Sequence, residues 1–360
     1  MLMVIFGAGA SHDSWAEAPQ PENQLGGGSA GFVGTLSGEV LLRRFRPPLA
    51  SDLFHDSARK FGEIIQRYRK LLPVLPRLRR PSEGRSVEEE LELLQEEADR
   101  DPERKRQLFS VRYYLRDLLS KVSEEWLKET NRVTNYVSLI DQIRHLNPGT
   151  EPVCLVNFNY DLLLDDALLS FDYKPQKPEG QFGAHPLFKL FKPHGSVDWA
   201  RFVDYSAGAK IGPQQLIEQA NELKLSDRYT SANACDPSQI FNFNWPICPA
   251  IAVPFQNKTD SSFEWPPTHR AYLEELLPQV TKILIIGWQA REAHFLQILR
   301  RNLKRGLTHL TVVGKDQEEG WAILKRFVGE IGQQPPYYSP GVGGFTHFVM
   351  EREGETLFKA

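Results

Sequence analysis

Leu2-Met3-Val4-Ile5-Phe6-Gly7-Ala8-Gly9-Ala10-Ser11 is the stretch whose reading decides the fold. Five consecutive apolar residues without polar alternation fit a strand buried on both faces, as in parallel sheets. The small residues Gly7, Ala8, Gly9, Ala10 and Ser11 that follow let backbone amides approach a ligand's phosphates at the head of a helix. The motif is incomplete as a dinucleotide fingerprint, because His12 stands where the third glycine belongs. No acidic residue closes a second strand about 20 residues on, so an ordinary nicotinamide dehydrogenase is disfavoured. A tight strand exit without a ligand remains open from this stretch alone.

Outward from it the same design recurs. Apolar runs at 153–156, 187–191, 251–253, 282–286 and 310–313 are followed in several cases by helical periodicity, clearest at 162–169, 295–303 and 321–331. Strands alternating with helices predict an α/β fold with a parallel, doubly wound, Rossmann-like sheet. The chain reads as one domain, 1–360, with a mobile Gly/Pro-rich loop at 19–48 and a helical insertion at 55–146. Within the insertion Leu108, Val111, Leu115, Leu118, Leu119, Val122 and Trp126 share one helix face, and Val87, Leu91, Leu94 and Ala98 make a thinner stripe. Its basic residues, from Arg59 to Arg80, precede a run of glutamates from Glu88 to Glu97. Such blocks are expected to pair across solvated helix faces, the other reading being a docking surface. Residues 200–245, polar and aromatic without a period, predict an irregular excursion.

Composition narrows the function. With 43 Lys and Arg against 46 Asp and Glu, the net charge of -3 gives no global field for nucleic acid or an anionic membrane. Three cysteines, none in a C-x-x-C pair, cannot form a disulfide framework or a four-cysteine zinc site. No apolar run approaches the roughly 20 residues that span a bilayer, and the N-terminus lacks the basic region of a signal peptide, so a cytoplasmic location is expected.

Polar groups follow several of the apolar runs. Asn157-Phe158-Asn159-Tyr160-Asp161 follows the run 153–156. Carboxyl ends of parallel strands are where open α/β sheets bind ligands, and an Asn there can both donate to and accept from a water or a ribose hydroxyl. Asp161 suits an N-cap as well as a site role. Lys192-Pro193-His194-Gly195-Ser196 follows 187–191, and His194 titrates in the range a general base needs. Gly287-Trp288-Gln289 and Gly314 end two further runs and would line a nucleotide crevice, or merely punctuate strands.

In this order the motifs resemble the sirtuin (silent information regulator) superfamily, in its bacterial zinc-lacking branch. The resemblance rests on Gly7 to Ser11, Pro47-Pro48-Leu49, Asn159-Tyr160-Asp161, His194-Gly195-Ser196 and the Pro254-Phe255 to Lys258 segment. Trp288 and Gln289 depart from the Tyr-Ser common in that family, and Glu292 stands where Asp is common. The resemblance implies cleavage of the bond between nicotinamide and ribose in NAD. Gly7 to Ser11 would bind the diphosphate, Asn159 would orient the attack, His194 would be the general base, and Asp161 would order the loop or bond the nicotinamide ribose. Gly195, Gly287, Trp288, Gln289 and Gly314 would complete the NAD site, with no metal. Without the zinc module the expected acceptor is water, giving an NAD hydrolase.

In that branch such hydrolases serve as antiphage effectors that deplete NAD. An activating subunit or self-assembly is therefore expected, with the loop and the insertion as the gate. The competing expectations are a catalytically weak NAD or ADP-ribose-binding regulatory module and a protein deacylase.

Overall fold

In the first strand, β1 (Leu2–Phe6), Met3 and Ile5 point to one side and Leu2, Val4 and Phe6 to the other. Both sides are covered, which is why no residue in the strand is polar. The computed structural model describes residues 1–15, 46–55, 61–82, 84–147, 151–179, 187–204, 212–232, 246–254, 263–341 and 343–359. The expected mobile loop lies outside the described residues, except for 46–48.

Parallel pairing places β1 between β2 (Val153–Asn157) and β7 (Lys282–Ile286). With β3 (Phe188–Phe191), β8 (His309–Val313) and β9 (Tyr337–Gly341) these form a six-stranded sheet in the order β3-β2-β1-β7-β8-β9, all parallel. Counting only its own strands, the chain runs outward to one side from the middle, then returns and runs to the other. That is the doubly wound order of Rossmann-like folds, and its reversal point lies between β1 and β7. Helices Pro267–Leu276, Ala293–Asn302 and Gln317–Ile331 pack on the Met3 and Ile5 face. Helices Asn135–Leu146, Leu163–Leu169 and Gly344–Met350 pack on the Val4 and Phe6 face.

The helical insertion is built as expected, with one revision. Its stripes, Val87, Leu91, Leu94 and Ala98 on helix Val87–Ala98 and Leu108, Val111, Leu115 and Leu118 on helix Pro102–Glu129, are buried against each other. The basic and acidic blocks pair, with Arg77 at 3.1 Å from Glu90 and 2.8 Å from Glu97, and Lys70 at 3.0 Å from Glu103. Helix Asn135–Leu146 does not belong to this lobe. Its Tyr136, Leu139, Ile140 and Ile143 lie on the parallel sheet as the crossover between β1 and β2.

Of residues 200–245, those described, 200–204 and 212–232, are more regular than expected. β4 (Gly195–Asp204) pairs antiparallel with β5 (Lys224–Ser231) and with β6 (Ile247–Ile251) in a separate three-stranded sheet. The apolar run at 251–253, expected to lead a strand of the main sheet, falls at the end of β6 instead. Val197, Val203, Cys248 and Ile251 of this sheet share a core with the insertion. The buried Glu264 carboxylate accepts from Arg112 of the long insertion helix and, at 3.1 Å, from Arg201 of β4. A buried carboxylate needs such partners, since removing one leaves its charge uncompensated. Among the described residues no helix is long and apolar enough to cross a membrane.

Candidate active site at the carboxyl edge of the sheet

Register sets the site. Phe6 lies level with Asn157 and Ile286, and Ile286 with Val313, so the chain leaves neighbouring strands at one edge. There a cleft enclosing about 1100 Å³ of atom-free space, part of it open to solvent, is lined by Gly7, Ala8, Ser11, Asn159, Asp161, His194, Gly287, Trp288 and Gln289. All three expected catalytic residues and six of the expected cofactor residues are thus brought together. Gly9, Ala10, Gly195 and Gly314 are not part of the lining.

The glycine turn has a packing task that the sequence did not disclose. A Cβ on Gly7 would lie 2.6 Å from the Gly287 carbonyl oxygen, and one on Gly9 would lie 2.9 Å from the Gly287 Cα. Gly287 itself has φ +61°, and its Cβ would sit 2.2 Å from the Ala10 nitrogen. The amides of Gly7, Gly9 and Ala10 are engaged by the carbonyls of Ile286, Gly287 and Gly7 respectively. The glycines therefore first serve to let two backbone turns touch, and few of their amides remain to meet a phosphate.

Asn159 is fixed by its own motif. The Asn157 side-chain oxygen accepts from the Asn159 amide at 3.0 Å, an Asx turn that bends the chain at the strand end. Asn159 Nδ2 then donates to the Gly7 carbonyl at 2.9 Å and to Ser11 Oγ at 2.9 Å, with Tyr136 OH at 3.3 Å. A carbonyl only accepts, so the amide orientation is settled by this partner. Oδ1 is left as the group with which Asn159 can meet a ligand.

His194 is fixed in the same manner. Its Nδ1 lies 3.1 Å from the Phe158 carbonyl, which only accepts, so Nδ1 carries a proton. The imidazole is set edge-on to Phe158 at 4.8 Å and over Tyr160 at 5.9 Å. Its backbone is held on both sides, since Ala252 N donates to the His194 carbonyl and Glu264 N to the Pro193 carbonyl.

Asp161 precedes Leu162, the residue that holds the N-cap position of helix Leu163–Leu169. The Asp161 carboxylate accepts from the Leu163 amide at 3.1 Å, within the start of that helix, and Asp161 also lines the cleft. Burial pushes its pKa up, against the Ser11 hydroxyl, the Leu163 amide and the Lys192 charge, which favour the anion. Beneath it Lys192, 1% exposed, donates to the Asp161 carbonyl at 3.1 Å and to Ser196 Oγ at 2.8 Å. Its Nζ is also 2.6 Å from an Asp165 carboxylate oxygen. One buried ammonium thus ties the Asn159 loop to the His194 loop.

Several features of the cleft were not legible in the sequence. Phe158 and Trp288 stack face to face at 5.1 Å with 2° between their planes, forming an aromatic wall. The Trp288 indole N–H donates to Glu292 at 2.6 Å. Tyr136, which supports Asn159 and Ser11, comes from the crossover helix. Glu88, Leu119, Val122 and Ser123 come from the insertion and line the cleft together with Pro47, Pro48 and Leu53. Tyr136 and the insertion residues lie far from the motifs along the chain and carried no signal of a site role. Among the described residues no group of three or more His, Cys, Asp or Glu is arranged to hold a metal ion. No protein-family model matches the chain, and a search of curated proteins returns no match.

Proposed function

We propose that the chain is an NAD glycohydrolase of the sirtuin type, cleaving NAD to ADP-ribose and nicotinamide. The observation that carries this reading is the convergence of Asn159 Oδ1 and the His194 imidazole on one cleft at the reversal point of a Rossmann-like sheet. Open α/β sheets bind nucleotides at that point.

The chemistry asks little of the protein beyond placement. The bond from ribose C1′ to the pyridinium nitrogen breaks, its electron pair neutralises the ring, and a water oxygen bonds to C1′ through an oxocarbenium-like state. Asn159 Oδ1 would accept a hydrogen bond from that water or from a ribose hydroxyl and orient it. His194 Nε2 would take the proton that the water loses, its ring held in the correct tautomer by the Phe158 carbonyl. Proximity supplies much of the acceleration in such a reaction. Asp161 would accept from a ribose hydroxyl, and the Phe158 and Trp288 rings offer a flat apolar surface for a base.

Water is the acceptor in this reading because three cysteines are too few for the four-thiolate zinc module of the deacylating sirtuins. Regulation as an antiphage effector, through a sensor subunit or self-assembly, rests on the resemblance. The insertion's place in the cleft wall gives such a signal a route to the site. The test is nicotinamide release from NAD with and without an acylated peptide. Equal release in both supports hydrolysis, strict peptide dependence supports a deacylase, and binding without release supports a regulatory module. Full and unchanging specific activity of the isolated chain at every concentration would overturn gating.

A further inference from the structure

The glycine turn leaves an electrostatic problem. A dinucleotide brings two negative charges on its diphosphate, yet three of the turn's amides are already bonded to backbone carbonyls. The charge must be met by another group.

Arg291 is the one Arg or Lys side chain among the described residues that line the cleft. Among the described residues it makes no ion pair or hydrogen bond through its side chain, although carboxylates stand nearby. The adjacent Glu292 is turned to the Trp288 indole N–H, 2.6 Å away. The segment carrying Arg291 is constrained from behind. Gln289 donates to Glu319 at 2.9 Å, and Arg326 donates to the Gln289 carbonyl. Ala290, wholly buried, has φ 51°, a left-handed conformation that alanine adopts only when its surroundings impose it. Strain of this kind, immediately before an unpaired cation at a cleft, is the pattern expected where a side chain is being aimed. The loop begins at Gly287, which touches the Gly7 and Gly9 turn, and Arg291 lines the same cleft as Gly7, Ala8 and Ser11.

We propose that Arg291 grips the ligand's diphosphate and makes the cleft selective for ligands that carry one. This rests on the dinucleotide reading of the site. A guanidinium offers two parallel N–H donors to phosphate oxygens, which a lysine ammonium cannot match in geometry.

The experiment is calorimetric titration of the full chain and of its Arg291→Gln and Arg291→Lys variants with ADP-ribose, followed by competition with inorganic pyrophosphate. The expected result is a loss of affinity of about 10- to 100-fold in Arg291→Gln, the size of one charge-assisted contact, with partial recovery in Arg291→Lys. Pyrophosphate should displace ADP-ribose from the wild-type chain and lose that ability in Arg291→Gln. Because Arg291 is exposed, thermal melting should be unchanged and will report any variant that misfolds. Wild-type binding matched within twofold by Arg291→Gln would overturn the Arg291 assignment alone. Absence of ADP-ribose binding and of NAD cleavage in the wild-type chain would overturn the dinucleotide reading, and the assignment with it.

Discussion

The side-chain amide of Asn159 donates to the backbone carbonyl of Gly7, 2.9 Å away and on the neighbouring strand's exit. This bond joins the two motifs that define the cleft, and it explains why an asparagine is required where an aspartate would have similar shape. At neutral pH an aspartate would place an oxygen without a proton against that carbonyl. Asn159→Asp is therefore expected to lose about 2–3 kcal/mol of stability, more than Asn159→Ala, because an uncompensated repulsion costs more than a missing bond. Urea denaturation of the two variants at pH 7 checks the order, and a more stable Asn159→Asp would refute it.

Gly287 meets the glycine turn with no room for a side chain. Gly287→Ala combines φ +61° with a Cβ placed 2.2 Å from the Ala10 nitrogen. The expected cost is at least ~3 kcal/mol, with loss of ligand binding because Gly7 and Ser11 must move. Denaturation midpoints against a Gly329→Ala control, where a Cβ has open space, measure it.

Asp161 is held against its preference for water. A carboxyl whose folded pKa is raised favours the folded state below its unfolded value near 3.8 and loses that contribution as pH rises through the folded value. Asp161→Asn keeps an acceptor for the Leu163 amide and removes the buried charge. The variant is expected to melt higher than wild type at pH 7, with the difference shrinking as pH falls toward 3.8. A variant less stable than wild type at pH 7 and equally so in acid would contradict this.

His269 gives the opposite slope. Burial lowers its imidazole from 6.5 to about 4, packed edge-on to Trp199 at 5.4 Å. Its stabilising contribution is complete above pH 6.5 and is lost as pH falls through about 4. The shift corresponds to roughly 3 kcal/mol, so wild-type stability should drop by about that much more than His269→Phe across the window. Parallel pH profiles of the two chains would show that His269 is not the group responsible.

Much of the fold was legible because its central strands are short and mostly apolar, with glycine directly after β1, β7 and β8. The 282–286 run matches β7 residue for residue. The strands that escaped are those whose residues serve other purposes. β5, Lys224-Leu-Ser-Asp-Arg-Tyr-Thr-Ser, lies at the edge of the small sheet with several side chains in solvent and therefore carries no apolar run. β9, Tyr337-Tyr-Ser-Pro-Gly, is the edge of the main sheet and contains a proline that a central strand would not tolerate. The helix Asn135–Leu146 was assigned to the insertion because periodicity reports a buried face without saying what buries it.

At the site, Asn159, Asp161 and His194 stood out because polar residues directly after buried strands are unusual without a use. Their supports did not. Tyr136, Lys192 and Glu264 act through contacts between segments distant in sequence, and each alone looks like an ordinary helix or strand residue. Trp288 is expected from the sequence to help complete an NAD site. Its ring is packed flat on Phe158 and edge-on to Phe295, so its first role is to form the cleft wall.

The most direct measurement of the central claim is the rate of nicotinamide release from NAD by the purified chain and by His194→Ala. Removal of a positioned general base should slow release by about 10²- to 10⁴-fold while ADP-ribose still binds. Equal release rates from the two chains, or a wild-type chain that binds NAD and returns it intact, would contradict the account.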